Sequence, residues 1–205
     1  MIELENISKA FLDKTLFNNF SYTFVSGQSY ALIGPSGCGK STLLNIIGKL
    51  EMVDQGKVVV NDSLLTQIKE KDYFKSYISY LFQNYGLIEN KTIKDNLELS
   101  FIGKNLTSRE KQIKVEESLK QVNLNLNTNR KVFTLSGGES QRVAIAKTIL
   151  KDTPIILADE PTASLDEKNS TEIMDLILSL QQNKLIIIAT HDPAVFNRVD
   201  HVIAL

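Results

Sequence analysis

A strand, a glycine-rich loop and a helix follow one another between Tyr30 and Leu50, and few folds accommodate that order at this spacing. Tyr30 to Ile33 is apolar on both faces, Gly34-Pro35-Ser36-Gly37-Cys38-Gly39-Lys40-Ser41 matches G-x-x-x-x-G-K-S/T, and Thr42 to Leu50 is helix-like. The glycines let the backbone turn several N–H groups toward one anion, and a helix beginning near Lys40 adds the positive end of its dipole. Such a cradle suits a polyphosphate. Lys40 supplies a point charge for the β and γ phosphates, and the Ser41 hydroxyl can ligate Mg²⁺, which takes most of its octahedral shell from water and phosphate. The plainer alternative, a turn with a solvated lysine, lacks a reason for the flanking strand and helix. Cys38 reads as a loop residue with no chemical duty.

The chain has 205 residues, which against a prior of roughly 150 per domain allows one domain, or one with a sizeable insertion. With 42% apolar and 23% charged residues it can bury an ordinary globular core. A net charge of −1 leaves no bulk field to draw in nucleic acid or an anionic bilayer. One cysteine makes neither a disulfide nor a zinc site, which points to a reducing compartment, the cytoplasm. Met1-Ile2-Glu3-Leu4-Glu5 does not look like a signal peptide, and runs such as Leu185 to Ala189 fall short of the ~18 residues of a membrane-spanning helix. Any membrane role needs a partner.

Tyr30 to Ile33, Ile155 to Ala158 and Leu185 to Ala189 read as buried parallel strands. Ile2 to Ile7, Phe20 to Phe24 and Lys57 to Val60 alternate and suggest a small antiparallel sheet. After Asp166, Ile173, Leu176, Ile177 and Leu180 form one apolar helix face. Thr107 and Glu110 form a capping pattern ahead of a helix of about four turns, and Thr92 with Asp95 starts another. Residues 84–137 therefore read as an all-helical insertion, with Asn123 to Asn129 as a loop.

Ile155-Ile156-Leu157-Ala158 runs into Asp159-Glu160-Pro161, two carboxylates at the carboxyl end of a buried strand, where open α/β sheets bind ligands. Asp159 suits the magnesium, through water, and Glu160 suits acceptance of a proton from water attacking the γ-phosphate. A second glycine-rich helix start, Leu135-Ser136-Gly137-Gly138-Glu139, precedes a helix in which Val143, Ala146 and Leu150 share a face. Ser136 and Glu139 satisfy a capping box, so a structural reading suffices there. The paired glycines also bare N–H groups and dipole to an anion, and one nucleotide per chain does not need two such surfaces. Head-to-tail pairing, with this surface of one copy over the nucleotide of another, is the simplest use.

The ordered set of phosphate loop, LSGGE, ILADEP, Ser164-Leu165-Asp166 and His191 closely resembles the nucleotide-binding subunits of ATP-binding cassette (ABC) transporters, across essentially the whole chain. The resemblance implies an α/β fold: a RecA-like P-loop core with a small antiparallel β subdomain and an inserted α-helical subdomain. It makes 1–205 one domain, with 1–83 and 138–205 forming the core and β subdomain and 84–137 the helical subdomain. It implies ATP and Mg²⁺ as ligands, held by Gly34, Pro35, Ser36, Gly37, Cys38, Gly39, Lys40, Ser41 and Thr42, with Ser136, Gly137, Gly138 and Glu139 closing from a second subunit. Phe11 takes the place of the aromatic that stacks on adenine, although Phe17, Phe20 or Phe11 itself could equally be a core aromatic. Gln83 matches the glutamine that contacts Mg²⁺ and the attacking water, so Ser41, Gln83 and Asp159 are the metal set and Glu160, His191 and Gln83 the catalytic one. Asp166 matches the aspartate of the segment crossing the dimer interface, and could equally cap the next helix. His201 receives no role.

Two departures stand out: Ala163-Ser164 replace a usual Ser-Ala or Gly-Asn, and Asp200 to Leu205 ends before the family's closing hairpin, which suggests an incomplete edge strand. Phe82 to Ile88, Asp95-Asn96 and the IAKTIL helix look most like the subgroup of lipoprotein release, macrolide efflux and bacteriocin or peptide export. The expected function is an ATPase subunit on the cytoplasmic face of the membrane. Its partners would be a membrane-spanning transporter subunit and a second, head-to-tail ABC subunit, giving a homodimer, with no nucleic acid. A soluble ABC ATPase acting on DNA or ribosomes is the rival, disfavoured by the missing tandem cassette, cysteines and basic patch. A P-loop GTPase or small-molecule kinase lacks support because N-K-x-D is absent and LSGGE has no use in it.

Overall fold

Strands that are apolar on both faces need cover on both sides, and the computed structural model, which describes residues 1–12 and 14–205, supplies it. Strands β1 (Ile2–Phe11), β2 (Lys14–Phe24), β4 (Gln55–Val60) and β5 (Ser63–Leu64) form an antiparallel sheet in the order β2-β1-β4-β5. Strands β3 (Ser29–Ile33), β6 (Ile78–Leu81), β7 (Ile155–Asp159), β8 (Leu185–Ala189) and β9 (His201–Ala204) form a parallel sheet in the order β6-β7-β8-β3-β9. The helices are α1 (Lys40–Ile47), α2 (Glu70–Ser76), α3 (Ile93–Glu98), α4 (Ser108–Gln121), α5 (Gly137–Lys151), α6 (Glu167–Ser179) and α7 (Pro193–Phe196).

The pleat divides the core in two. Ile155, Leu157, Leu185 and Ile187 join a cluster with α1 and the antiparallel sheet, while Ile156, Ala158, Ile186 and Ile188 join one with α3, α4, α5 and α6. The helical segment thus shares a continuous core with the parallel sheet: Ile93, Leu97, Val115 and Leu119 pack with Val143 and Ile145 of α5. Among the described residues no helix is long and apolar enough to cross a membrane.

Side-chain caps set the starts of α3, α4, α5 and α6. Thr92 with Asp95, Thr107 with Glu110 and Ser136 with Glu139 all form reciprocal capping boxes, and Asp166 caps α6 through Asn169 N–H at 2.9 Å. The predicted helix from Thr42 to Leu50 is shifted: α1 begins at Lys40 behind Gly39, whose φ is 114°, and ends at Ile47 because Gly48 caps it and Lys49 turns left-handed. The antiparallel strands run longer than their alternation suggests, with β1 continuing to Phe11 and β2 starting at Lys14. Helix α5 departs from a one-sided reading. Besides Val143, Ala146 and Leu150, its Gln141, Arg142, Ala144 and Ile145 are buried, since the helix runs between the sheet and its neighbours. Strand β9 is one edge of the sheet, beside β3, and β6 is the other.

Candidate functional site

The order β7-β8-β3 brings the carboxyl ends of three strands together, and each end carries chemistry. From β3 the chain enters the loop at Gly34 (φ 146°), where a Cβ would stand 2.7 Å from Cys38 Sγ and 2.8 Å from the Leu205 carbonyl oxygen. Only glycine fits there without displacement. At Gly39 a Cβ would lie 2.8 Å from Phe17 Cζ, so the loop rests directly on the β1–β2 hairpin. Lys14 Nζ strengthens that contact, donating to the Gly37 carbonyl at 2.7 Å.

A cleft of about 550 Å³ opens beside the loop, lined by Gly34 to Thr42 except Cys38, and by Gln83, Glu160, Ala163 and His191. Lys40 Nζ donates to the carbonyls of Gly34 at 2.8 Å and Pro35 at 3.2 Å, contacts that hold its charge at the loop. Ser41 Oγ donates to Asp159 Oδ1 at 3.0 Å. Burial raises the Asp159 carboxyl above the usual range, the Ser41 hydrogen bond opposes this, the Glu160 charge adds to it and Lys40 counters it. Glu160 sits in left-handed backbone (φ 45°), its Oε1 2.8 Å from His191 Nδ1 and its Oε2 3.3 Å from Thr190 Oγ1. The structure therefore gathers Lys40, Ser41, Gln83, Asp159, Glu160 and His191 around one cleft.

The Ser41 hydroxyl and the Asp159 carboxylate are hard oxygen donors at hydrogen-bond distance from one another. That pair fits a magnesium ion that draws its remaining ligands from phosphate and water. Among the described residues no three His, Cys, Asp or Glu side chains cluster as a self-sufficient cage.

Other predicted residues lie outside this cleft. Ser136 to Glu139 do not line it: a Cβ at Gly137 would meet Tyr85 Oη at 3.0 Å, and one at Gly138 would meet Asn169 Oδ1 at 3.5 Å. Asp166 accepts from Asn169 N–H and, at 2.7 Å, from its Nδ2; hydrogen bonds led by the Asn169 amide hold its carboxyl below the usual range. Phe11, 45% exposed, carries Lys9 Nζ over its ring at 4.8 Å, whereas Phe17 is in the core and Phe20 packs against it. His201 stacks on Tyr30.

Sequence reading missed Lys14, Thr190 and the Tyr85 Oη to Ser164 Oγ bond of 2.9 Å that joins the segment after Gln83 to the one before Asp166. Neither Lys14 nor Thr190 belongs to a motif, and the Tyr85–Ser164 bond links two that sequence reading keeps apart. Thr190 carried one usable signal, a polar residue closing a fully apolar strand ahead of a histidine.

The ABC transporter family profile matches residues 17–163. The phosphonates import ATP-binding protein PhnC of Fusobacterium nucleatum is 34% identical over 100% of this chain and 88% of its own length. The lipoprotein-releasing system ATP-binding protein LolD of Treponema pallidum is 34% identical over 98% of this chain and 93% of its own. A solved dimer of the Methanocaldococcus jannaschii cassette MJ0796, in a post-hydrolysis state bound to ADP and Pi, superposes with a TM-score of 0.90 at 33% identity, covering 100% of this chain and 94% of that one. The chain belongs to the ABC transporter family, as an ATP-binding subunit with ATPase activity.

Proposed function

We propose that this subunit hydrolyses ATP at two sites shared between head-to-tail copies and passes the closure to a membrane-spanning partner of the export or release type, which holds it at the cytoplasmic face. The observation that carries the paired arrangement is the separation of the two helix starts. The cleft at α1 collects every charged group needed for the phosphates, while the start of α5, bearing Ser136 to Glu139, faces Tyr85 and Asn169 instead.

In this reading the backbone of Gly34 to Thr42 and Lys40 Nζ bind and neutralise the phosphates, and Phe11 offers the adenine its exposed face. Bound magnesium, held through Ser41, Asp159 and Gln83, would offset charge on the β and γ oxygens. Glu160 takes the proton as water adds to the γ-phosphorus and the bond to the bridging oxygen of ADP breaks, with His191 and Gln83 orienting the reactants. Residues 84–137 act as the helical subdomain, set on the core of 1–83 and 138–205.

Export is supported by how three sequence pieces meet. The Asn96 amide, fully buried, donates to the Ile88 carbonyl at 3.0 Å and its oxygen accepts from Ile88 N–H at 2.7 Å. Lys147 of the IAKTIL helix donates to the Gly86 carbonyl at 3.0 Å. Phe82 to Ile88, Asp95-Asn96 and that helix are thus joined by hydrogen bonds, and together they carry the resemblance to release and efflux systems. The first relative reported above serves import, so direction is the point to test. The subunit is purified with its membrane companion and reconstituted in vesicles with the ATPase outside. ATP should then drive an amphipathic peptide or a macrolide into the lumen; ATP-driven loss of a phosphonate from the lumen would reverse the assignment.

A further inference from the structure

Thr190 is polar yet wholly buried, between the last residue of β8 and His191. Its N–H donates to the Leu32 carbonyl of β3 at 3.1 Å, which ties it to the strand leading into the phosphate loop. Its hydroxyl has two neighbours. The Asp192 N–H donates to Oγ1 at 3.1 Å, and Oγ1 lies 3.3 Å from Glu160 Oε2. A hydroxyl oxygen already accepting from an N–H keeps its one proton for the carboxylate, so the direction of donation is set. Asp192 is fixed in turn, because its Oδ1 accepts from Ala194 N–H at 2.8 Å and caps α7.

Glu160 needs such support. Its backbone is left-handed, a conformation that persists in a non-glycine residue only where neighbours over-determine it, and its N–H is held by the Ala189 carbonyl at 2.9 Å. His191 Nδ1 occupies one carboxylate oxygen, and His191 is itself largely exposed. The buried partner on the other oxygen is Thr190. At 3.3 Å that contact is stretched, as catalytic hydrogen bonds often are before substrate binds.

We propose that Thr190 is a positioning residue for ATP hydrolysis: its hydroxyl, oriented by the Asp192 amide, fixes Glu160 Oε2 and thereby the direction in which the carboxylate meets the attacking water. The inference rests on Glu160 being the base. Its test is steady-state phosphate release by Thr190→Val and Thr190→Ser. Thr190→Val should lower kcat about tenfold or more, with KM for ATP within about twofold. Thr190→Ser, which restores the hydroxyl, should recover most of the lost rate. In a Glu160→Gln background Thr190→Val should remove nothing further from the residual rate, because the two changes act through one carboxylate. Thr190→Ala carries the same expectations if Thr190→Val does not fold.

Unchanged kcat in a folded hydroxyl-free variant, equal losses in Thr190→Ser and Thr190→Val, or additive losses in the Glu160→Gln background would each overturn the positioning role. Glu160→Gln alone separates the two failures. Normal turnover in it removes the base assignment, whereas an inactive Glu160→Gln beside a fully active Thr190→Val removes only the role of Thr190.

Discussion

Helices α1 and α5 both begin at glycines, yet their N-terminal N–H groups are treated in opposite ways. Gly39 caps α1 without any side-chain hydrogen bond, and Lys40, Ser41, Glu160 and His191 line the same opening, with Asp159 joined to it through the Ser41 hydroxyl. At α5, Ser136 Oγ accepts from Glu139 N–H at 3.3 Å, and the Glu139 carboxylate accepts from Ser136 N–H at 2.8 Å. That start is stable by itself, and its neighbourhood holds a carboxylate with Arg130 at 3.7 Å rather than a cluster of free cations. The first start gathers its charged groups in one cleft; the second is closed by its own capping box, and in the proposed reading it serves a second subunit.

Several changes should break or sharpen that contrast. Glu160→Gln should retain ATP affinity while lowering turnover by about 10² or more, measured by phosphate release and calorimetry; undiminished turnover would take the base away from the α1 cleft. Lys40→Met removes the point charge and should weaken ATP binding about tenfold or more, which titration calorimetry reads directly.

On the other side, Ser136→Ala should cost about 1 kcal/mol of helix capping, a melting shift of roughly 2–4 °C, and leave ATP affinity of the lone subunit unchanged. A matching loss of affinity in that variant would place α5 in the subunit's own nucleotide site.

The smallest effect concerns the far end of α5. Burial, with Lys147 and Lys104 nearby, pushes the Lys151 ammonium down to about 8. Its folded value lies below the unfolded one, so between about 8 and 10.5 the unfolded chain holds more protons and stability rises with pH. Lys151→Met should flatten that rise in thermal melts across the window and gain about 1 kcal/mol at neutral pH, after allowance for solvent screening of a half-buried group.

What could be read from the sequence follows the range of the forces involved. The phosphate loop and the capping boxes at Thr92, Thr107 and Ser136 are local patterns, and they stand in the structure where spacing puts them. The doubly apolar β7 and β8 were legible for the same reason. Strand order was not, since the pairing of β3 with both β8 and β9 is decided by contacts far apart in the chain. Helix α5 was legible only in part: Val143, Ala146 and Leu150 are buried as their spacing suggests, but a helix buried on nearly every side has no single apolar stripe to show the rest. Within the site, Lys40, Ser41, Asp159, Glu160 and His191 were found through motifs. Lys14 was invisible because it reaches the loop through a single long-range hydrogen bond to Gly37, and Thr190 gave only a weak signal because its contact with Glu160 spans thirty positions of the chain.

The division between a self-contained α1 cleft and an outward-directed α5 start is tested most directly by light scattering on Glu160→Gln with and without Ser136→Arg, in the presence of ATP. The account predicts that Glu160→Gln doubles in mass on adding ATP, and that adding Ser136→Arg leaves it monomeric while calorimetry still finds one ATP bound per chain. ATP-driven dimers of equal stability in both proteins would contradict it.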